Sequence, residues 1–269
     1  MKVPFRIGTT SYIIPADILP NLEYLTGQVD DVELVLFEVD DGQNNLPDEA
    51  TIQRAGQILR RAGMSVTVHL PLDLRLGADE AGRQQSLDKA LRVIRRTEAL
   101  QPWAYVLHLD GSEVRSAYGC ADWQAWSQRT HAAMRDLAAS LPEPRLLAVE
   151  NLDGYPPAFW DEALLGLPVS RCVDIGHLWK DGHDPLPYLQ ARLRDTRVLH
   201  LHGVGTRDHQ SLRHVPPAEL QRVLACLAAA DFRGVLTLEV FGEEDFHTSR
   251  EALLEVLHQM NLEARWENR

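Results

Sequence analysis

The chain has 269 residues, with 39 acidic against 27 basic side chains and a net charge of −12 when histidine is neutral. That balance disfavours a phosphate-backbone partner, so no nucleic acid is expected. Cys120, Cys172 and Cys226 show neither metal-ribbon nor disulfide spacing and fit a reducing cytoplasm, while neither a leader pattern nor an apolar run of about 18 residues suggests a signal peptide or membrane span.

Short β-like runs alternate with longer helical patterns along the whole chain. Strands are predicted at 5–10, 32–38, 65–70, 104–109, 145–151, 169–174, 198–202 and 235–240. Helices are predicted at 17–25, from 48 through Leu59, at 86–100, 123–139, 159–165, 187–193, 216–230 and 249–260. Some eight strand–helix pairs in a chain near the usual ~250 residues imply an α/β fold, a single (β/α)8 TIM barrel forming one domain. The rival is a doubly wound open sheet. It would normally carry a glycine-rich phosphate loop after its first strand, and Gly8-Thr9-Thr10-Ser11 does not make one.

What ends each strand is more informative than the strands themselves. His69 closes the third, His108 the fourth, Glu150 the fifth and Asp174 the sixth. His200 and His202 close the seventh on one face, and Glu239 the eighth. In a parallel barrel all these ends point to one rim. Any one of them alone reads as a packed histidine or a helix cap. Six consecutive strands ending this way would bury many ionisable groups in one cup, which is costly without a cation. The stretch Asp174-Ile175-Gly176-His177 adds an acid and an imidazole three residues apart, with Gly176 expected to let the loop turn. On its own it reads equally well as a capping Asp beside a surface His. Asp208 and His209 lie in the loop after the seventh strand, and Asn151 and Asp110 are expected to orient ligand histidines. Trp103, Tyr155 and Trp179 are expected to be packing residues.

These residues resemble the xylose-isomerase-like barrels, which include the endonuclease IV metal-dependent phosphodiesterases. The resemblance spans the chain and rests on Val68-His69-Leu70, Leu107-His108-Leu109, Val149-Glu150-Asn151, Asp174-Ile175-Gly176-His177, Leu199-His200-Leu201-His202, Asp208-His209 and Leu238-Glu239. It implies a cluster of two or three divalent ions, zinc first, with manganese or another transition metal as the alternative. Glu150 would bridge two ions. His69 and His108 would complete one site, Asp174, His200 and Glu239 the next, and His177 with His209 the third. The family pattern at the third site is Asp-x-His, and this chain has Arg207 where that Asp should stand.

A narrower resemblance lies in the N-terminal third: Gly8 to Asn21, Val29 to Glu38, and Thr67 to Arg75 with its Leu70-Pro71-Leu72-Asp73 core. These stretches look like the cobamide-remodelling phosphodiesterases. That implies a small-molecule cobamide (vitamin B12-type) substrate, hydrolysed in its nucleotide loop to cobinamide phosphate and a riboside. Glu150 and Glu239 would be the catalytic carboxylates. The rival activity is a sugar isomerase or epimerase, with Glu150 and Glu239 as an acid/base pair on one ion held with Asp174 and His200.

Overall fold

A computed structural model describes residues 1–38 and 44–266. Eight strands are numbered in chain order: β1 (Arg6–Thr10), β2 (Asp31–Val35), β3 (Ser65–His69), β4 (Tyr105–Leu107), β5 (Leu147–Glu150), β6 (Ser170–Asp174), β7 (Thr196–Leu201) and β8 (Val235–Leu238). Each pairs in parallel with its sequence neighbours, and β8 pairs back onto β1, closing the barrel. The expected (β/α)8 TIM barrel is therefore the fold. The helices outside it are α1 (Ile18–Leu25), α2 (Glu49–Ala62), α3 (Glu80–Thr97), α4 (Ala121–Ala139), α5 (Ile175–Lys180), α6 (Pro185–Arg192), α7 (Pro217–Ala229) and α8 (Glu243–Gln259). No helix of the described residues is long and apolar enough to cross a membrane.

Local chemistry sets the boundaries. The Asp48 carboxylate accepts from the Thr51 N–H to start α2, and Gly63 ends it in the left-handed region at φ 65°. Asp79 caps α3 in the same way through Gly82. Between them, α2 buries Ile52, Ala55 and Leu59, apolar residues at helical spacing.

One predicted element is absent. Residues 157–166 form successive turns rather than a helix over 159–165. Pro156 and Pro157 lead into the segment, and most of its bonds run i to i−3, as from Phe159 N to the Pro156 carbonyl at 2.8 Å, with one i to i−4 bond from Leu164 N to the Trp160 carbonyl at 3.1 Å. Aromatic packing holds it instead. Phe159 and Trp160 are fully buried, Phe159 packs on Trp126 and Tyr155, and the Trp160 indole donates to the Leu109 carbonyl at 2.8 Å.

The barrel lumen is layered. Trp103 closes its N-terminal mouth, with the guanidinium groups of Arg6 and Arg197 over its ring at 3.8 and 4.0 Å. Above it Val106, Ala148, Cys172 and Val198 make a small apolar cluster. Two residues further along their strands, on the same face, stand Glu150, Asp174 and His200. The lumen is not wholly apolar. Asp31 and Glu33 of β2 lie inside with no exposure. Burial lifts the Asp31 pKa to about 6, against the Ser65 hydroxyl and Arg6, which favour its charged form.

Candidate metal centre

All of the strand-end candidates meet at the C-terminal rim. His69 ends β3, His108 follows β4, Glu150 ends β5, Asp174 ends β6, His200 lies in β7 and Glu239 follows β8. Glu150 is the hub. Its Oε2 lies 3.3 Å from His69 Nε2 and 3.2 Å from His108 Nε2. Its Oε1 lies 3.5 Å from both His200 Nδ1 and His177 Nδ1. On the far side of His200, Nδ1 is 3.1 Å from Glu239 Oε2 and 3.8 Å from Asp174 Oδ2. The donors fall into groups whose ligand atoms lie within 4.8 Å of one another. One is His69, His108 and Glu150; another is Glu150, Asp174, His200 and Glu239; a third is His177, His202 and His209.

These residues fit divalent cations on a direct observation. Glu150 Oε1, Asp174 Oδ2, Glu239 Oε2 and His200 Nδ1 are buried, and none has a hydrogen-bond partner in the protein. Buried polar atoms are almost always satisfied, so four converging exceptions mark where a cation would take its ligands. The mix of imidazole nitrogen and carboxylate oxygen suits zinc or a similar transition metal better than magnesium.

The surrounding chain orients these donors. His69 Nδ1 meets the Leu70 carbonyl at 2.8 Å, which turns Nε2 toward Glu150. The Asn151 side chain bridges the Asp174 backbone in both directions, donating to its carbonyl and accepting from its N–H at 2.9 Å each. The Asn151 carbonyl faces His177 Nδ1 at 3.0 Å. Asp174 serves two purposes: Oδ1 accepts from the His177 N–H at 2.7 Å and caps α5, while Oδ2 faces the cup. The capping reading of this stretch holds for Oδ1, which leaves Oδ2 to face the cup, while His177 is buried rather than on the surface.

Electrostatics follow from burying these groups together. Burial works against charging His200, but Cys172, Glu239, Glu33 and Glu150 outweigh it and hold its pKa well above the usual histidine value. Burial likewise opposes ionisation of Glu150 and Glu239. The neighbouring histidines, His200 foremost, prevail and hold both well below the ordinary carboxylate range.

Two readings of individual residues change. Gly176 does not turn a loop; it sits inside α5, and a Cβ there would lie 2.3 Å from the His202 ring. Its role is to make room for that histidine. Asp110 does not orient a ligand histidine. It accepts from the Tyr155 hydroxyl and the Ser112 N–H, each at 2.9 Å. The third group also departs from a simple His177–His209 pair. His202 stacks on His209 with ring centroids 4.3 Å apart, and the His209 N–H points to His202 Nδ1 at 3.1 Å. His209 Nε2 lies 3.2 Å from Glu239 Oε2. Arg207 turns away to Asp245 at 3.1 Å, and Asp208 pairs with Lys180 at 2.6 Å.

Glu33, Asp153 and Lys180 went unrecognised in the sequence. Glu33 is fully buried two residues below the rim, and its Oε2 meets His200 Nε2 at 3.1 Å. That contact leaves Nδ1 for the cup, as a carboxylate behind a ligand histidine does. The signal was a lone acid in the apolar run Val32 to Phe37. Replacing Glu33 by Gln should weaken metal affinity by about 10–100-fold while the barrel stays folded. Competition with a chelating dye would measure this, and unchanged affinity would leave Glu33 without that role.

Above the cup is a cavity of about 420 Å³. Its walls include Phe37, Leu72, Leu152, Tyr155 and Phe241, and its floor carries His69, His108, Glu150 and Glu239. A larger cavity of about 660 Å³ opens at the opposite mouth around Trp103, away from every one of these donors.

A model of the xylose isomerase-like TIM barrel family matches residues 28–260. The chain belongs to that family. A comparison with curated proteins finds no match. Among solved structures, a D-tagatose 3-epimerase-like protein superposes with a TM-score of 0.80 at 18% identity, covering 96% of this chain and 98% of its own. Endonuclease IV from Thermus thermophilus gives 0.69 at 19% identity, covering 94% and 99%. The 3-keto-D-glucoside 4-epimerase of E. coli gives 0.72 at 15%, covering 94% and 99%. Identities this low establish a shared fold, and the xylose isomerase-like barrel carries more than one chemistry among these neighbours.

Proposed function

We propose that this chain is a metal-dependent phosphodiesterase that hydrolyses the nucleotide-loop phosphoester of cobamides. The observation that carries the hydrolase reading is the second donor group. His69 and His108 converge on Glu150 Oε2, while Glu150 Oε1 faces His200 in the four-donor group. A carboxylate shared in this way is the arrangement of a two-ion clamp. Divalent cations held there supply Lewis acidity toward the phosphodiester oxygens.

The protein's own groups do the rest. Glu150 keeps the two donor groups in register, and Glu33 holds His200 in the tautomer that presents Nδ1. Glu239 Oε2, at the edge of the cup beside His209, is placed to orient the attacking water, whose proton passes to the departing riboside oxygen. Water adds to phosphorus and the bond to the riboside oxygen breaks, leaving phosphate on the cobinamide. The apolar walls at Phe37, Leu72 and Phe241 suit the flat face of a macrocycle above a charged floor. The net charge of −12 argues against a DNA substrate. The cobamide assignment itself rests on the N-terminal stretches named above.

The second reading, a sugar isomerase or epimerase, is favoured by one feature. Glu150 and Glu239 flank His200 Nδ1 at 3.5 and 3.1 Å, as an acid/base pair around a single ion would. That chemistry gives His69 and His108 no task as ligands. Elemental analysis separates the readings: at least two tightly held divalent ions per chain are expected, and a single ion at full occupancy would favour the epimerase.

A further inference from the structure

Asp153, His177 and Asp208 form another group at the rim with ligand atoms within 4.8 Å of one another. Two carboxylates and an imidazole at that spacing are a ready divalent-cation site. A cation of the protein's own already stands there. Lys180 Nζ lies 2.7 Å from Asp153 Oδ2 and 2.6 Å from Asp208 Oδ2, both short charge-assisted contacts. Lys180 ends α5, three residues after His177, so the two share a face of that helix.

The remaining carboxylate oxygens of the group stand near histidines. Asp208 Oδ1 is 3.4 Å from His209 Nδ1, and Asp153 Oδ1 is 3.9 Å from His177 Nε2. His209 Nε2 faces Glu239, and His202 Nε2 faces Asp174 Oδ1 at 3.4 Å.

We propose that the Lys180 ammonium takes the place of a metal ion in the Asp153–His177–Asp208 group, so that this rim carries a fixed organic cation where a further divalent ion would sit. Two consequences follow. The centre holds one ion fewer than its donor groups would allow. And because Asp153 and Asp208 line the cavity, Lys180 offsets part of the negative charge of two carboxylates that would repel a phosphodiester.

This rests on the reading of the cup as a multi-ion centre, and the test separates the two. Metal content is measured by elemental analysis after dialysis against buffered free zinc, for the wild type, Lys180→Ala, Lys180→Met and Lys180→Arg. Lys180 is exposed, so its loss should leave the barrel folded, which a thermal melt checks. The expected result is two ions in the wild type and in Lys180→Arg, and three in Lys180→Ala or Lys180→Met. Adding Asp208→Asn to Lys180→Ala should return the count to two. One ion in the wild type and two in Lys180→Ala would support the role of Lys180 and overturn the two-ion reading. Uncharged variants that gain no ion over the wild type would overturn the role of Lys180 and leave the two-ion reading standing.

Discussion

Glu150→Gln is expected to lose bound metal and phosphodiester hydrolysis together, with a fall in turnover of at least about a hundredfold, the scale of removing one preorganised electrostatic group. The carboxylate is fully buried and faces His69 and His108 with one oxygen and His177 and His200 with the other. The amide keeps the volume but removes the charge that holds these groups in one cup. The fold should survive, because the barrel is closed by strands whose outward faces pack on the helices through an apolar core. Three measurements on this one variant, metal content, melting temperature and hydrolysis, distinguish three roles. Loss of metal and activity at an unchanged melting temperature supports a bridging ligand. Retained metal with lost turnover points to an acid/base carboxylate. Activity that falls only in step with stability points to a structural group.

A large pH effect is expected from the same cluster. Burial opposes the charged forms of His69, His177, His200 and His209, but the surrounding carboxylates outweigh it and raise all four pKa values, that of His209 to about 9. A cation must therefore displace protons. Its affinity should rise about tenfold per pH unit for each proton displaced, and level off for His209 above about 9. Stability of the metal-free protein should run the other way. A raised histidine pKa stabilises the fold fully below the ordinary value of 6.5, and for His209 that contribution disappears as pH rises through about 9. Thermal melts of chelator-treated and metal-loaded protein between these limits should show a widening gap in melting temperature. A gap independent of pH would mean that metal and protons do not compete for these side chains.

Much of this was legible in the sequence for one physical reason. In a parallel barrel every strand ends on the same rim, so His69, His108, Glu150, Asp174, His200 and Glu239 could be gathered without knowing any loop. What lies below or beside the rim was harder to read. Glu33 sits two residues deeper in an apolar strand, and a two-residue period shows which face a side chain takes but not which histidine stands across the lumen. Asp153 and Lys180 belong to a loop and a short helix whose positions depend on contacts far away in the chain. Turns at 157–166 stand where a helix over 159–165 is expected, because the apolar spacing there suits either. Aromatic packing on Trp126 and Tyr155, invisible to local propensity, decides the outcome. Gly176 misled in the opposite sense: a glycine beside a polar pair suggested a turn, whereas the demand comes from a ring on another strand.

The most direct test of the account is anaerobic incubation of the purified, metal-loaded protein with an adenosylated cobamide, with the corrinoid products resolved by mass. Cobinamide phosphate and the lower-ligand riboside are expected, formed in equal amounts and abolished by a chelator. An intact cobamide, together with metal-dependent interconversion of ketohexoses by the same preparation, would contradict the account.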